Sequence, residues 1–136
     1  MSNIAIRKTG RFGSDSRVWV YADVSAQAGR ASVTLDMSKF TAAQMPDGHL
    51  PSGIVLAKIT AAGPSQGKYG PYDKTATAEG RDVPAGFLWD AFTPTGTDEA
   101  APLWFGPGAI KESKLPVGNG LTPEAKSALS AWFKFF

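Results

Sequence analysis

The sequence predicts a mostly β protein with one short helix, on three observations. Fifteen glycines and ten prolines are spread between short apolar runs rather than gathered in linkers, which is the punctuation of short strands joined by turns. Two early segments alternate apolar and polar residues with period two. Only one segment, near the C-terminus, carries a helix start signal.

Residues 1–16 include Gly10, Gly13, Ser14, Asp15 and Ser16 and show little periodicity. They read as an arm that orders on docking. Arg17 to Val24 alternates, with Val18, Val20, Ala22 and Val24 on one side and Trp19, Tyr21 and Asp23 on the other. Ala31 to Met37 alternates again, and the intervening Ser25–Arg30, with Gly29, can close a hairpin between the two strands. Pro46-Asp47-Gly48 and Pro51-Ser52-Gly53 are turns. Ile54 to Thr60 is the strongest strand signal, apolar and β-branched. Gly63–Gly70 reads as loop and Tyr69–Asp73 as a tight turn flanked by aromatics. Val83–Phe92 is an apolar run centred on Phe87, Leu88 and Trp89, Pro94–Pro102 reads as loop, and Leu103–Phe105 and Ala109–Lys111 read as short strands.

Thr122-Pro123-Glu124 starts a helix that runs to about Ser130. Thr122 can cap free N–H groups, Pro123 suits the first helical position, and Glu124 favours the positive end of the helix dipole. The chain ends Trp132-Phe133-Lys134-Phe135-Phe136. Burying each aromatic is worth about 1.5–3 kcal/mol. This end therefore predicts a strand packed in the core or against another subunit.

A chain of 136 residues is one domain with an attached arm. Residues 1–30 hold five cations (Arg7, Lys8, Arg11, Arg17, Arg30) against Asp15 and Asp23, and the remainder is nearly balanced, for a net charge of +2. The division expected is an arm over 1–30 that carries a strand, then a β domain over 31–136. The mild charge argues against nucleic acid as the main partner. No apolar stretch approaches the roughly 20 residues of a membrane span, and the start lacks the apolar run of a signal peptide. The expectation is a soluble protein made in the cytoplasm without an export signal.

Little in the sequence supports catalysis. There is no cysteine and one histidine, His49, so thiol chemistry and a multi-histidine metal site are excluded. Asp47 and Ser52 lie near His49, but no G-x-S-x-G elbow is present. No Walker A loop, dinucleotide fingerprint or EF-hand loop occurs. Asp82, Asp90, Asp98 and Glu99 match no ligand spacing, although a glycosidase carboxylate pair need not be adjacent in sequence. The expectation is a protein with no enzyme activity, cofactor or metal. Trp19, Tyr69, Tyr72 and Trp104 are candidates for stacking on sugars, and Lys68-Tyr69 and Trp132-Phe133-Lys134 for stacking on nucleic-acid bases. Core packing is the commoner use of such aromatics.

Two longer stretches carry a resemblance. The first joins Val33-Thr34-Leu35-Asp36-Met37-Ser38-Lys39-Phe40 to Leu50-Pro51-Ser52-Gly53 and Ile54-Val55-Leu56-Ala57-Lys58-Ile59-Thr60. The second joins Gly67-Lys68-Tyr69-Gly70-Pro71-Tyr72-Asp73 to Glu79-Gly80-Arg81-Asp82-Val83-Pro84-Ala85-Gly86-Phe87-Leu88. In order and spacing, residues 33–92 resemble the capsid decoration (cement) proteins of the phage lambda head protein D type, especially the longer versions from actinobacteriophages. A weaker likeness runs from Lys114-Leu115-Pro116-Val117-Gly118 to the end. The chain departs from the compact members by its expected extra hairpin at 17–37.

The resemblance implies a small β-barrel-like (β-tulip) domain with a short C-terminal helix and an extended N-terminal arm. It implies a homotrimer on the outer surface of the virion, at threefold sites of the expanded head. There it would bind the major capsid protein and stabilise the shell. On that reading Arg17, Val18, Trp19, Val20 and Tyr21 are arm contacts with the capsid. Trp132, Phe133, Phe135 and Phe136 pack in the core or at a subunit interface, and Leu56, Ile59, Phe87 and Leu88 are core. The alternatives are another phage structural protein, such as a tail-tube or connector component, and a carbohydrate-binding domain.

Overall fold

A computed structural model of the protein describes residues 17–25 and 28–136. It is mostly β, with a closed five-stranded barrel, a three-stranded sheet against the barrel wall, and one short helix near the C-terminus. In chain order the strands are β1 (Val20–Asp23), β2 (Arg30–Asp36), β3 (Val55–Lys58), β4 (Tyr69–Pro71), β5 (Pro84–Leu88), β6 (Asp98–Trp104), β7 (Gly108–Ile110) and β8 (Phe133–Phe135). The helix α1 spans Pro123–Leu129. Short 3-10 turns at Met37–Lys39, Ala42–Gln44 and Glu112–Lys114 fill the connections.

The barrel order is β2-β4-β3-β5-β6, closed by β6 returning to β2. The β2/β6 ladder is the longest, antiparallel from Arg30↔Trp104 to Asp36↔Asp98. The parallel seam between β2 and β4 rests on one pair, Leu35↔Tyr69. Pro102 sits within β6 without breaking its pairing to β2. Its carbonyl accepts from Trp89 N at 3.0 Å. In a strand a residue's N and O point to the same side, so the missing N–H faces β5, just past the Phe87↔Trp104 and Leu88↔Leu103 pairs.

Alternate barrel residues feed two cores. Leu35, Leu56, Leu88 and Leu103 point into the barrel with Met37, Phe40, Leu50 and Ile54. Their neighbours Val55, Ala57, Phe87 and Trp104 point outwards. These form a second core with Trp19, Ile110, Phe133, Tyr72 and the helix residues Ala125 and Leu129. A wall buried on both faces needs continuous apolar sequence, which is why Ile54–Ile59 reads so strongly as a strand. Leu56, Ile59, Phe87 and Leu88, expected in the core, are all buried.

The second core is covered by β1, β7 and β8, with β7 in the middle. β1 runs antiparallel to β7, with a register shift between Val20 and Ala22. β8 runs parallel to β7. Thr122 caps the helix by accepting from Ala125 N at 3.1 Å, with Pro123 in the first turn, as the sequence predicts. Ala125 and Leu129 lie four residues apart on one face, and both are buried.

Three expectations are corrected. The 17–37 hairpin does not form: β1 pairs with β7, while β2 enters the barrel. Residues 17–25 therefore belong to the folded body, and the division at residue 30 does not hold for them; residues 1–16 of the expected arm lie outside the described residues. The Pro94–Pro102 loop ends early, because Asp98–Pro102 is the first part of β6. Its Asp-Glu-Ala-Ala-Pro composition has little strand propensity, and pairing with β2 supplies what propensity does not. The predicted tight turn at Tyr69–Asp73 is instead β4 over Tyr69–Pro71, paired with β3 by the same means.

Asp36 closes the end of β2. Its carboxylate accepts from Ser38 N at 3.1 Å and Ser38 Oγ at 2.6 Å, and also from the Ser65 hydroxyl. The Ser38 and Ser65 hydroxyls hold its carboxyl below the ordinary carboxylate range, against the opposing effect of burial. We expect Asp36→Asn to cost about 1–3 kcal/mol at neutral pH, the range for a buried charge-assisted contact. A depressed folded pKa contributes stability above the unfolded value of about 3.9, and that contribution is lost as pH falls through the folded value. Urea midpoints of the two proteins should therefore differ at pH 7 and converge below about pH 4. Trp19→Ala should cost about 3–5 kcal/mol in the same assay, as expected for emptying a core indole site.

Candidate functional site

The outer face of the three-stranded sheet is built by simple alternation. Val20, Ile110, Phe133 and Phe135 turn inwards onto the second core. Their neighbours Tyr21, Lys111, Lys134 and Phe136 turn out and are exposed. The Tyr21 and Phe136 rings meet edge to face, with centroids 4.9 Å apart. Lys111 Nζ lies 5.4 Å from the Tyr21 ring centre, and Lys134 Nζ 6.0 Å from that of Phe136. The result is an aromatic pair bracketed by two ammonium groups. Of eight large apolar side chains exposed among the described residues, five (Val18, Tyr21, Val24, Trp132, Phe136) lie on or beside this sheet. Single exposed apolar residues are ordinary; a concentration like this marks a contact surface. Among the described residues β1 and β8 are also the sheet's edges, so their outer backbone groups can pair with an added strand.

The predicted arm contacts separate. Val18 and Tyr21 are 55% and 56% exposed. Arg17 is exposed too, pairs with Asp90, and holds its guanidinium 4.9 Å over the Trp89 ring. Val20 is half-buried against the second core. Trp19 is a correction: it is 1% exposed and makes no outward contact. Its ring packs 5.3 Å from Phe87 and 5.6 Å from Trp104, and its Nε1 donates to Ser52 Oγ at 3.1 Å. A bulky indole just before a short strand finds more apolar area under the sheet than at an arm surface. The C-terminal aromatics separate too. Phe133 is core and Phe135 half-buried, whereas Trp132 and Phe136 are 58% and 59% exposed.

Beside this face, Trp89 meets two arginines, with the Arg30 guanidinium 3.7 Å and that of Arg17 4.9 Å from the ring centre. Arg30 also pairs with Asp23. Burial pulls the Asp23 carboxyl up, but bonds from the Ser25 hydroxyl, Arg30 and the Ser25 amide outweigh it and hold it low. This clamp ties the strand-leading segment to the barrel. The sequence reading missed it, together with Lys111 and Val24, and singled out Lys134 only for stacking on bases. Only the cation and aromatic residue types signalled the clamp and the lysines, and nothing local signalled Val24, because their proximity is set by strand pairing.

The residues considered for chemistry are not brought together. The exposed His49 ring bonds to the Thr93 hydroxyl. Ser52 is buried, accepting from Trp19 and donating to Trp89 O at 2.7 Å. Asp90 pairs with Arg17 and Asp98 with Lys68, while Glu99 accepts from the Thr95 and Gly96 amides. No group of three His, Cys, Asp or Glu among the described residues is placed to hold a metal. Of the proposed stacking aromatics, Trp19, Tyr72 and Trp104 are buried and Tyr69 is half-buried, so the four form no exposed platform. No helix among the described residues is long and apolar enough to cross a membrane. No protein-family model, curated protein or solved structure matches the chain.

Because Tyr21 and Phe136 are solvent-facing, changing either to Ser should cost no more than the edge-to-face pair itself, about 0.5–1.5 kcal/mol. Phe133→Ala should cost about 3–5 kcal/mol and Phe135→Ala an intermediate amount. Chemical denaturation of the four variants checks the order.

Proposed function

We propose that the protein is a non-catalytic capsid cement of the tailed-phage type, docking as a homotrimer on the outer surface of an expanded head and stabilising the shell. The observation that carries this reading is the outer face of the three-stranded sheet: exposed aromatics and lysines gathered across one face, from edge strand β1 to edge strand β8. The resemblance over residues 33–92 adds to it, since that stretch holds β3, β4, β5 and most of β2.

In this reading Arg17, Val18 and Tyr21, with residues 1–16, face the major capsid protein, and β1 offers its edge to a capsid strand. Trp132 and Phe136 meet a neighbouring subunit. Trp19 and Phe133 hold the docking sheet to the barrel and touch no partner. A trimer at a threefold site engages three equivalent contacts at once, so modest single contacts give strong retention. The chain would be made in the host cytoplasm and reside on the virion, with no cofactor, nucleic acid or membrane as partner.

Light scattering on the purified protein should return a mass of three chains, and a six-chain ring would favour a tail-tube component instead. In co-sedimentation with expanded heads of major capsid protein, the full chain should pellet saturably. A chain starting at Arg17 should stay folded and remain in the supernatant. Equal pelleting of the two would remove residues 1–16 from the docking role.

A further inference from the structure

Most cations among the described residues are matched within the chain: seven arginines and lysines each lie within ion-pair distance of a carboxylate. Four lysines have no such partner among the described residues, Lys58, Lys111, Lys114 and Lys134, and all four are exposed. Three of these lie on or just after the three-stranded sheet. Lys111 and Lys134 bracket the Tyr21–Phe136 pair, with their ammonium groups 5.4 Å and 6.0 Å from the ring centres. The 3-10 turn that follows β7 folds the chain back at Lys114, whose N donates to Lys111 O at 3.0 Å. The acid of that turn, Glu112, is committed to Lys126 at 2.8 Å, and Phe136 O is taken by the Glu112 amide at 2.9 Å. The outer face thus joins apolar rings to an excess of positive charge.

That combination constrains what can cover it. Tyr21 and Phe136 are 56% and 59% exposed, and a partner that buries these rings also takes water from the ammonium groups beside them. Burying an ammonium without a counter-charge costs more than an aromatic contact returns. The covering surface must therefore carry carboxylates opposite the lysines. Another copy of this chain is poorly supplied with them. Of its described carboxylates, only Asp47 and Asp82 have neither a cation nor a hydrogen bond. Nucleic-acid bases need open ring faces to stack on. Here the two rings meet edge to face at 84°, and each has an ammonium over it.

Resting on the docking role proposed above, we infer that this face seats an acidic surface of the major capsid protein, whose carboxylates meet Lys111, Lys114 and Lys134, and that attachment is salt-sensitive as a result. The capsid-facing Tyr21 touches the subunit-facing Phe136, so the lysines lie where the capsid and the neighbouring subunit adjoin. Complementary charge at such a seam sets register and association rate as well as affinity.

The test is co-sedimentation of the full chain with expanded heads between about 0.1 M and 1 M salt, where the screening length falls from about 10 Å to about 3 Å. Affinity should fall at least about tenfold over that range. Combining Lys111→Gln, Lys114→Gln and Lys134→Gln should weaken binding at least about tenfold at the lower salt and remove most of the salt dependence. The urea midpoint of this triple variant should match the parent, because all three lysines are exposed. Arginine at the same three positions should restore binding, and Lys58→Gln, on β3, should behave as the parent. Equal weakening by Lys58→Gln would overturn the inference by reducing the effect to net charge. A triple variant that pellets like the parent at every salt would overturn it while leaving the docking role standing. A parent chain that pellets at no salt would overturn both. Oligo-dT binding that the triple variant loses, with its pelleting unchanged, would assign the lysines to nucleic acid instead.

Discussion

Trp19 buries its whole side chain between the barrel wall and the three-stranded sheet, and the arrangement of the rest follows from that placement. Its ring touches Phe87 and Trp104 on the wall, and its one polar atom is met by Ser52. The Ser52 hydroxyl in turn donates to the Trp89 carbonyl at the end of β5. A buried indole N–H without an acceptor costs free energy, so this relay fixes Trp19 in one position. The backbone follows: Lys111 N donates to Trp19 O at 2.7 Å, which sets β1 against β7. β8 pairs on the other side of β7 and covers the same core with Phe133.

The wall between the two cores explains the close packing. Residues of β3, β5 and β6 alternate between the barrel interior and the Trp19 side, so both faces are lined by apolar side chains. Gly108 shows how tight the second core is: a Cβ there would fall 2.2 Å from the Trp104 ring. Trp104 can lie flat under β7 only because that position has no side chain. The glycine is therefore a packing requirement and not a turn signal.

The same alternation produces the exposed aromatic face of the three-stranded sheet. Once Val20, Ile110, Phe133 and Phe135 are committed inwards, Tyr21, Lys111, Lys134 and Phe136 have only the outward direction left. That face is thus the reverse side of the core, and its rigidity comes from the packing beneath it. A surface held this way meets a partner with little ordering cost.

How much was legible in the sequence depended on the range of the interaction. The mostly β class, a strand within Ile54–Thr60 (β3, Val55–Lys58), the Thr122-capped helix and the burial of Leu56, Phe87 and Leu88 are consequences of local pattern, and the sequence alone determined them. The end strand at Phe133–Phe135 was equally readable, because adjacent aromatics demand burial somewhere. Partner choice was decided only by the tertiary structure. β1 left its neighbour β2 for β7, nearly ninety residues on, because Trp19 gains more from the core under that sheet than a hairpin would return. The weak segments Asp98–Pro102 and Tyr69–Pro71 became strands because the barrel had to close. Of the residues expected as arm contacts, Val18 and Tyr21 are exposed, but Trp19 is buried. Period two distinguishes the two faces of a strand, but it does not say which face meets the core, and Trp19 lies just before the strand begins, where the period has not started. That choice is made by burial area, summed over residues far apart in the chain.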